Sequence, residues 1–374
     1  MPQPNIGYLF NKDYYSYDYF NLDIDSAQLG KEIIEKNRQI LERKLSEYND
    51  LQDRLNTPGI YKLDFKTTYP GLLIGAGYNH EVGEFGGSNA NDSNNDPSNT
   101  ILKLGFYFDY TSGLPAIPGS AVKGILRSAF DHNDYIDELL KQLNIHDKSI
   151  EDIGNIKKEI FDGEADGKNL SIYKRDIFYD ARIGYVDGVQ NNFLGDDYIT
   201  PHYPNLLKNP KPIKFLKVLP GVVWRFSFDL RDSSNKVKGL LAEQKLRLFR
   251  KIVCDLGVGA KTNLGYGYFD SEYGVKQMME NIKLIKENKE NMLLANKSEL
   301  ERRLYFLGQK PWSSELEQDL TALCQELEAM ELHDRQSTAI FLKETWIKND
   351  KWHGKQSQKQ SKKIVKVKQI LSEA

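Results

Sequence analysis

The spacing of apolar positions changes twice along the chain and divides it into stretches of different texture. In "DSAQLGKEIIEKNRQILERKLSEYNDLQDRLNTPG", Leu29, Ile33, Ile40, Leu41, Leu45, Tyr48 and Leu55 recur at helical intervals among charged residues. Asp25 or Ser26 is placed to cap this run and Pro58-Gly59 to end it, so a long helix with one packing face is predicted. From 61 to about 275 short alternating runs take over: "YKLDFKTTY", "LKLGFYFDY", "KRDIFYDARIGYV", "IKFLKVLPGVVWRFSFDL" and "GYGYFD". Helical "SAVKGILRSAF" and "GLLAEQKLRLFRKIV" are interspersed with them, which favours an antiparallel α+β sheet over a doubly wound parallel one. Beyond 276 the pattern is helical again, punctuated at Pro311-Trp312-Ser313. The expected divisions are residues 1–60, an aromatic segment and helix; 61–275, the core; and 276–374, a helical extension with a basic tail.

Three segments stand outside these patterns. Tyr14, Tyr15, Tyr17, Tyr19 and Phe20 near the start suit a strand, an interface or a base-stacking surface. Residues 83–100, "GEFGGSNANDSNNDPSNT", are polar enough to be expected mobile or ordered only on a partner. From 341 onward nine lysines face three acidic residues, a surplus of six charges that reads as a solvated end with an RNA contact as the sharper alternative.

The whole chain of 374 residues carries 51 basic and 53 acidic residues, a formal net charge of -2. No global field advertises a polyanion, so any nucleic-acid site must be a local patch. Cys254 and Cys324 show neither CxxC nor Cys/His spacing, which argues against disulfides and a zinc knuckle and for a cytoplasmic setting. No apolar run approaches the ~18 residues of a membrane span, and no membrane partner is expected. His80, His132, His146, His202, His333 and His353 are scattered without metal spacing, so neither metal nor other cofactor is expected.

Two stretches carry chemistry. In "LPAIPGSAVKGILRSAF" (114–130) Pro118-Gly119 sets a turn, Ser120 is placed to cap, and Val122, Ile125, Leu126 and Ala129 face inward. Such a helix start suits an anion, with Lys123 and Arg127 adding charge. Gly124 costs about 1 kcal/mol in a helix, which predicts something packed closely against it. The plain alternative is an ordinary amphipathic helix with solvated basic residues. In "DLGVGAKTNLGYGYF" (255–269) Gly257, Gly259, Gly265 and Gly267 surround Lys261, Thr262 and Asn263. Glycines let a backbone approach a polyanion and present amides to it; the plain alternative is a hairpin turn between strands. Lys261 follows Ala260, not glycine, which excludes a P-loop, and Thr262 stands where a dinucleotide fingerprint needs its third glycine.

Together, "LPAIPGSAVKGILR" and the later "GVGAKTNLGYGYF" resemble the RAMP superfamily of CRISPR proteins. "YPGLLIGAGYNHEVG" ahead of them, with "EIFDGEADGKNLSIYKRDIFYDARI" and "YITPHYPNLL" between, is similar in order to the subunit-six family of type III-B Cmr effector complexes. One departure is "IFDG" (160–163), where the superfamily runs Phe directly into Gly. The resemblance implies a ferredoxin-like, RNA-recognition-motif-type (Cas7-like) palm with insertions and helical extensions, stacked beside other RAMP subunits and a small subunit. It implies a guide-RNA and target-RNA partner, with Ser120, Lys123 and Arg127 on guide phosphates. Gly257, Gly259, Ala260, Lys261, Thr262 and Asn263 would contact them from the loop. Residues 185–215 are the expected insertion over the guide, with Tyr198, His202 and Tyr203 at the RNA. Grip through phosphates and amides leaves base edges free for pairing. A ribonuclease using His80, His202, Asp92, Asp96 or Asp109 is the competing enzyme reading, and a protein scaffold touching no RNA is a third. Asp180 in "FYDAR" is expected to hold a loop by hydrogen bonds.

Overall fold

The computed structural model describes residues 5–15, 26–48, 59–79, 101–145, 148–187, 192–200, 212–235, 238–353 and 356–372. The chain forms two compact units, residues 1–285 and 286–374.

The first unit is built on an antiparallel sheet. Its strands are β1 (Tyr61–Lys66), β2 (Gly75–Asn79), β3 (Leu104–Phe106), β4 (Ala116–Ile117), β5 (Glu164–Ala165), β6 (Lys168–Asn169), β7 (Ile177–Phe178), β8 (Ala181–Val186), β9 (Leu194–Ile199), β10 (Ile213–Val218) and β11 (Val222–Asp229). The main sheet runs β1-β11-β8-β4, with β7 also on β11; β2-β3, β5-β6 and β9-β10 are separate pairs. Alternation explains the faces: Tyr61, Leu63 and Phe65 of β1 and Trp224, Phe226 and Phe228 of β11 are buried on one side. On the other, Asp64 is closed off by a bidentate pair with Arg225, both contacts 2.8 Å.

Past β1, Thr67 bridges Phe269, flanked by Thr68 N–H to the Tyr268 carbonyl (3.1 Å) and Asp270 N–H to the Lys66 carbonyl (2.9 Å). This short return segment extends the sheet beside β1. The helices are α1 (Ile6–Asn11), α2 (Ser26–Leu41), α3 (Gly119–Ala129), α4 (Asn133–Gln142), α5 (Ile150–Lys157), α6 (Ala242–Leu256) and α7 (Val275–Ala295). Between β1 and β8 lies α3, and between β11 and the return segment lies α6. That β-α-β-β-α-β order, with both end strands beside their non-sequential partners, is the ferredoxin-like arrangement. The expected α+β palm is therefore present. The run 213–230 divides, however: Leu219-Pro220-Gly221 sends β10 to β9 and β11 into the main sheet.

The N-terminal residues share this core. Ile6, Phe10, Tyr14, Ile33 and Ile40 are buried with the sheet residues. Tyr14 lies in a short 3-10 turn, not a strand; its hydroxyl donates to Asn37 Oδ1 (2.8 Å) and accepts from Leu102 N–H (3.1 Å). The other aromatics at 17, 19 and 20, and residues 49–58, lie outside the described residues. The long helix predicted from 26 closes at Leu41, and Leu45–Tyr48 is a separate 3-10 turn. Loop 83–100 also lies outside the described residues.

The second unit holds α8 (Glu299–Gln309), α9 (Ser314–Glu326), α10 (Leu332–Lys348) and α11 (Gln358–Ser372) around Leu316, Leu320, Leu323, Leu342 and Trp346. The lysine-rich end is not a solvated coil. Ile364, Val367 and Ile370 recur at helical spacing and put α11 into this core, while Lys366 pairs with Glu328 at 2.9 Å and Lys363 donates to Thr321 Oγ1 at 2.7 Å. Among the described residues, no helix is long and apolar enough to cross a membrane.

Candidate nucleic-acid interface

The glycine loop follows a helix and is no hairpin turn. Helix α6 ends at Gly257 (φ 70°, ψ 179°), an extended positive-φ conformation that only glycine adopts without penalty. The chain then folds onto residues 71–73: Ala260 N–H donates to the Leu73 carbonyl and Gly267 N–H to the Gly71 carbonyl, both at 2.8 Å. Gly259 and Gly267 are required by this packing. A Cβ there would stand 2.4 Å from the Leu73 carbonyl oxygen and 1.9 Å from that of Val258. The glycines thus serve the loop's own closure. What the closed loop offers outward is Lys261, itself left-handed at φ 60°, then Thr262, Asn263 and Leu264 in a 3-10 turn. The Lys261, Thr262 and Asn263 amides make no hydrogen bond among the described residues.

A partly buried polar network fixes this loop to β9 and β10. Tyr266 donates its hydroxyl to Asp197 Oδ2 (2.7 Å), which also takes Lys217 Nζ (2.6 Å), while Asp197 Oδ1 takes the Tyr198 amide (2.8 Å). Burial alone would raise the Asp197 carboxyl, but the hydrogen bonds from Lys217, Tyr266 and the Tyr198 amide outweigh it and hold it below the usual carboxylate range. Burial, then the bond to Asp197, pushes the Tyr266 hydroxyl well above its ordinary value, so it stays a donor. Tyr198 is exposed on β9 with Lys214 Nζ 5.6 Å from its ring centre. His202 and Tyr203 lie outside the described residues.

The start of α3 differs from the sequence reading in three ways. Pro118 is the capping residue and makes no side-chain cap; Ser120 sits exposed inside the first turn. The Gly119 amide is already taken by Asp180 Oδ1 at 2.7 Å, so a carboxylate occupies the position an anion would seek. This makes Asp180 a structural cap, held where Gly119 meets the Phe178 carbonyl too closely for a Cβ (2.3 Å). Gly124, by contrast, has open space around it rather than a packed neighbour. Lys123 Nζ lies 5.9 Å from the centre of the Phe178 ring. Arg127 donates to both oxygens of Asp162 at 2.5 and 3.4 Å. Asp162 ends the π-helical turn Lys158–Asp162, where one extra residue is accommodated by widening the helix.

The register separates these two groups of residues. Gly119 touches Phe178, which pairs with Phe228 opposite Tyr61, the first residue of β1. The glycine loop packs beyond Thr67, past the last. Six strand residues span about 20 Å, so Ser120, Lys123 and Arg127 and the loop 257–263 sit toward opposite ends of the sheet. The loop, Tyr266 and the β9-β10 pair with Tyr198 are brought together.

Of the remaining candidates, Asp109 accepts on its Oδ2 from Thr111 Oγ1 (2.9 Å), Ser112 N–H (3.1 Å) and Ser112 Oγ (2.6 Å), an arrangement that closes its own turn. His132 caps α4, and His333 and His353 are exposed in the second unit. His80, Asp92, Asp96 and His146 lie outside the described residues. No group of three or more His, Cys, Asp or Glu able to hold a metal occurs among the described residues. Sequence reasoning passed over Tyr69, which is 85% exposed beside the loop. It also passed over the buried Lys245–Asp176 pair at 2.7 Å, since a lysine on a helix's apolar face was the available signal.

Comparison with known proteins adds to this geometry. The model of the RAMP superfamily matches residues 64–270. "CRISPR system CMR subunit Cmr6" of Saccharolobus solfataricus is 30% identical over 182 residues, 46% of this chain and 49% of the relative. The chain thus spans about half the length of this curated relative. A cryo-EM structure of the type III-B Cmr-beta bound to cognate target RNA contains a similar chain, 21% identical, with a TM-score of 0.39 over 70% of this chain and 84% of that one. The crystal structure of Cmr6 from Pyrococcus furiosus is 22% identical, with a TM-score of 0.30 over 56% and 96%.

Proposed function

The chain belongs to the RAMP superfamily, and from that membership we propose that it is a guide-RNA-binding structural subunit of a type III-B CRISPR (Cmr) interference complex. In this role it caps the backbone of stacked subunits near the 3′ part of the guide, in antiviral defence. The sequence likeness to a Cmr6 subunit supports the assignment to the complex. The observation that carries RNA binding is the glycine loop: a closed, internally hydrogen-bonded platform that turns Lys261 and three unbonded amides outward. Donors without acceptors suit phosphate oxygens, and they read no base edge, as a subunit serving guides of any sequence requires.

Ser120 and Lys123 form a second, separate contact along the guide, with Arg127 available only when Asp162 releases it. Tyr198, exposed on β9, is a further RNA contact in this reading, and the family resemblance adds His202 and Tyr203. The chain binds and does not cut; three hydrogen bonds from its own turn to Asp109 Oδ2 favour a structural role for that residue over a ribonuclease one. Purification of the tagged chain from its host tests the proposal. Short RNAs sharing a repeat-derived 5′ segment, together with further RAMP subunits, are the expected yield. A chain recovered without RNA would refute it. Lys261→Ala should weaken RNA loading for all guide sequences alike and reduce the slope of log affinity against log salt by about 0.7 for each phosphate left unneutralised.

A further inference from the structure

We propose that Tyr69 and Leu264 form a base-stacking edge beside the glycine loop, taking one unpaired RNA base next to the phosphate held at Lys261; this rests on the RNA-binding reading above. In the segment 61–74 the large apolar side chains Tyr61, Leu63, Phe65, Leu72, Leu73 and Ile74 are all buried, whereas Tyr69 is 85% exposed. Its backbone is nonetheless firmly held. Thr68 donates both its amide (3.1 Å) and its hydroxyl (3.0 Å) to the Tyr268 carbonyl, and Gly71 N–H closes the turn on the Thr68 carbonyl at 2.8 Å. Leu264, 60% exposed, projects from the loop, and the chain carrying it meets the chain carrying Tyr69 where Gly265 lies against Pro70, a Cβ there standing 3.6 Å from Pro70 Cδ. A rigid turn that holds a tyrosine ring in water contributes nothing to the core, so the ring is placed for something outside it.

The surroundings select the partner. The same loop carries, just before Leu264, the Lys261 ammonium and the unbonded amides of residues 261–263, all donors. Two apolar side chains fall far short of the roughly 800 Å² that each side of a protein interface buries. A single nucleobase needs no more than that: one aromatic face and an apolar edge, next to a donor cluster for its phosphate. Stacking is tolerant of base identity, in keeping with a guide of variable sequence.

The test uses the full-length chain and a fluorescein-labelled single-stranded RNA. Tyr69→Ala should weaken binding about 5- to 150-fold, the range for one stacked base, with the salt slope unchanged, whereas Tyr69→Phe should bind as the parent does. On the same strand made abasic throughout, Tyr69→Ala and parent should bind equally. If Tyr69→Ala binds normally while Lys261→Ala weakens binding, the stacking edge is overturned and the RNA reading stands. If neither variant changes binding, or the chain binds no RNA, the RNA reading itself falls and the stacking edge with it. A Tyr69→Ala chain that keeps its RNA affinity but loses a protein neighbour from the purified complex would assign the ring to that neighbour and also overturn the proposal.

Discussion

Replacing Lys245 by Met should destabilise the first unit sharply, because the two side chains it separates are almost fully removed from water. Lys245 is 1% exposed and Asp176 2%, and Lys245 Nζ donates to Asp176 Oδ2 at 2.7 Å and to the Arg231 carbonyl at 2.8 Å. Methionine keeps the unbranched stem on α6, so the loss is mainly electrostatic. It leaves the Asp176 carboxylate buried with the Arg231 amide (2.7 Å) as its remaining donor. Removing one member of a buried pair costs about 3–5 kcal/mol. For a unit of this size that lowers the midpoint of thermal unfolding by roughly 6–20 °C. Removing both charges, in Lys245→Met/Asp176→Leu, should recover most of the loss, since no charge is then stranded.

The assay is thermal unfolding of the full chain followed by hydrogen exchange in α6. Exchange reports the first unit alone; of the four tryptophans only Trp224 lies in it. The pH dependence gives an independent check. In Lys245→Met the stranded carboxyl has a folded pKa above its unfolded value of about 3.9. The deficit is therefore small near pH 4, grows as pH rises, and levels off above the raised folded pKa. A single variant costing less than about 1 kcal/mol, or a double variant as unstable as the single one, would refute the reasoning.

Asp162→Asn should release Arg127 from its bidentate partner; if Arg127 serves a guide phosphate, RNA affinity rises and the salt slope steepens by about 0.7, and an unchanged slope would remove Arg127 from the RNA. Tyr266→Phe should leave the fold intact but loosen the link from the loop to Asp197, seen as faster hydrogen exchange in residues 261–267 and weaker RNA binding; unaltered exchange there would show that the hydroxyl does not brace the loop. Because the Asp197 carboxyl is held below its usual range in the folded chain, its network stabilises fully above the unfolded pKa of about 3.9 and is lost as pH falls through the lower folded value. Loop exchange should accordingly be flat from pH 5 to 8 once corrected for intrinsic rates, and a rise within that window would contradict the assignment.

Local periodicity determined much of this protein. Alternation in "YKLDFK" and "VVWRFSFD" gave β1 and β11 and their inward faces, the amphipathic runs gave α3 and α6, and the glycine spacing marked the loop after α6 as special. The apolar triplet Ile364, Val367 and Ile370 also foretold α11, though the lysine count around it drew the reading toward a solvated end. What the sequence did not show is where charged and polar partners meet. Asp180 caps Gly119 from 61 positions away, Asp162 engages Arg127 from 35, and Tyr266 reaches Asp197 from 69. Nor could it show that the start of α3 and the glycine loop sit toward opposite ends of the sheet, or that Tyr69 stands in water while its neighbours are buried. The reason is physical. Apolar burial is imposed residue by residue and leaves a period in the chain, whereas an ion pair or a cap depends on which segments the closed fold brings within about 3 Å, and no local period encodes that distance.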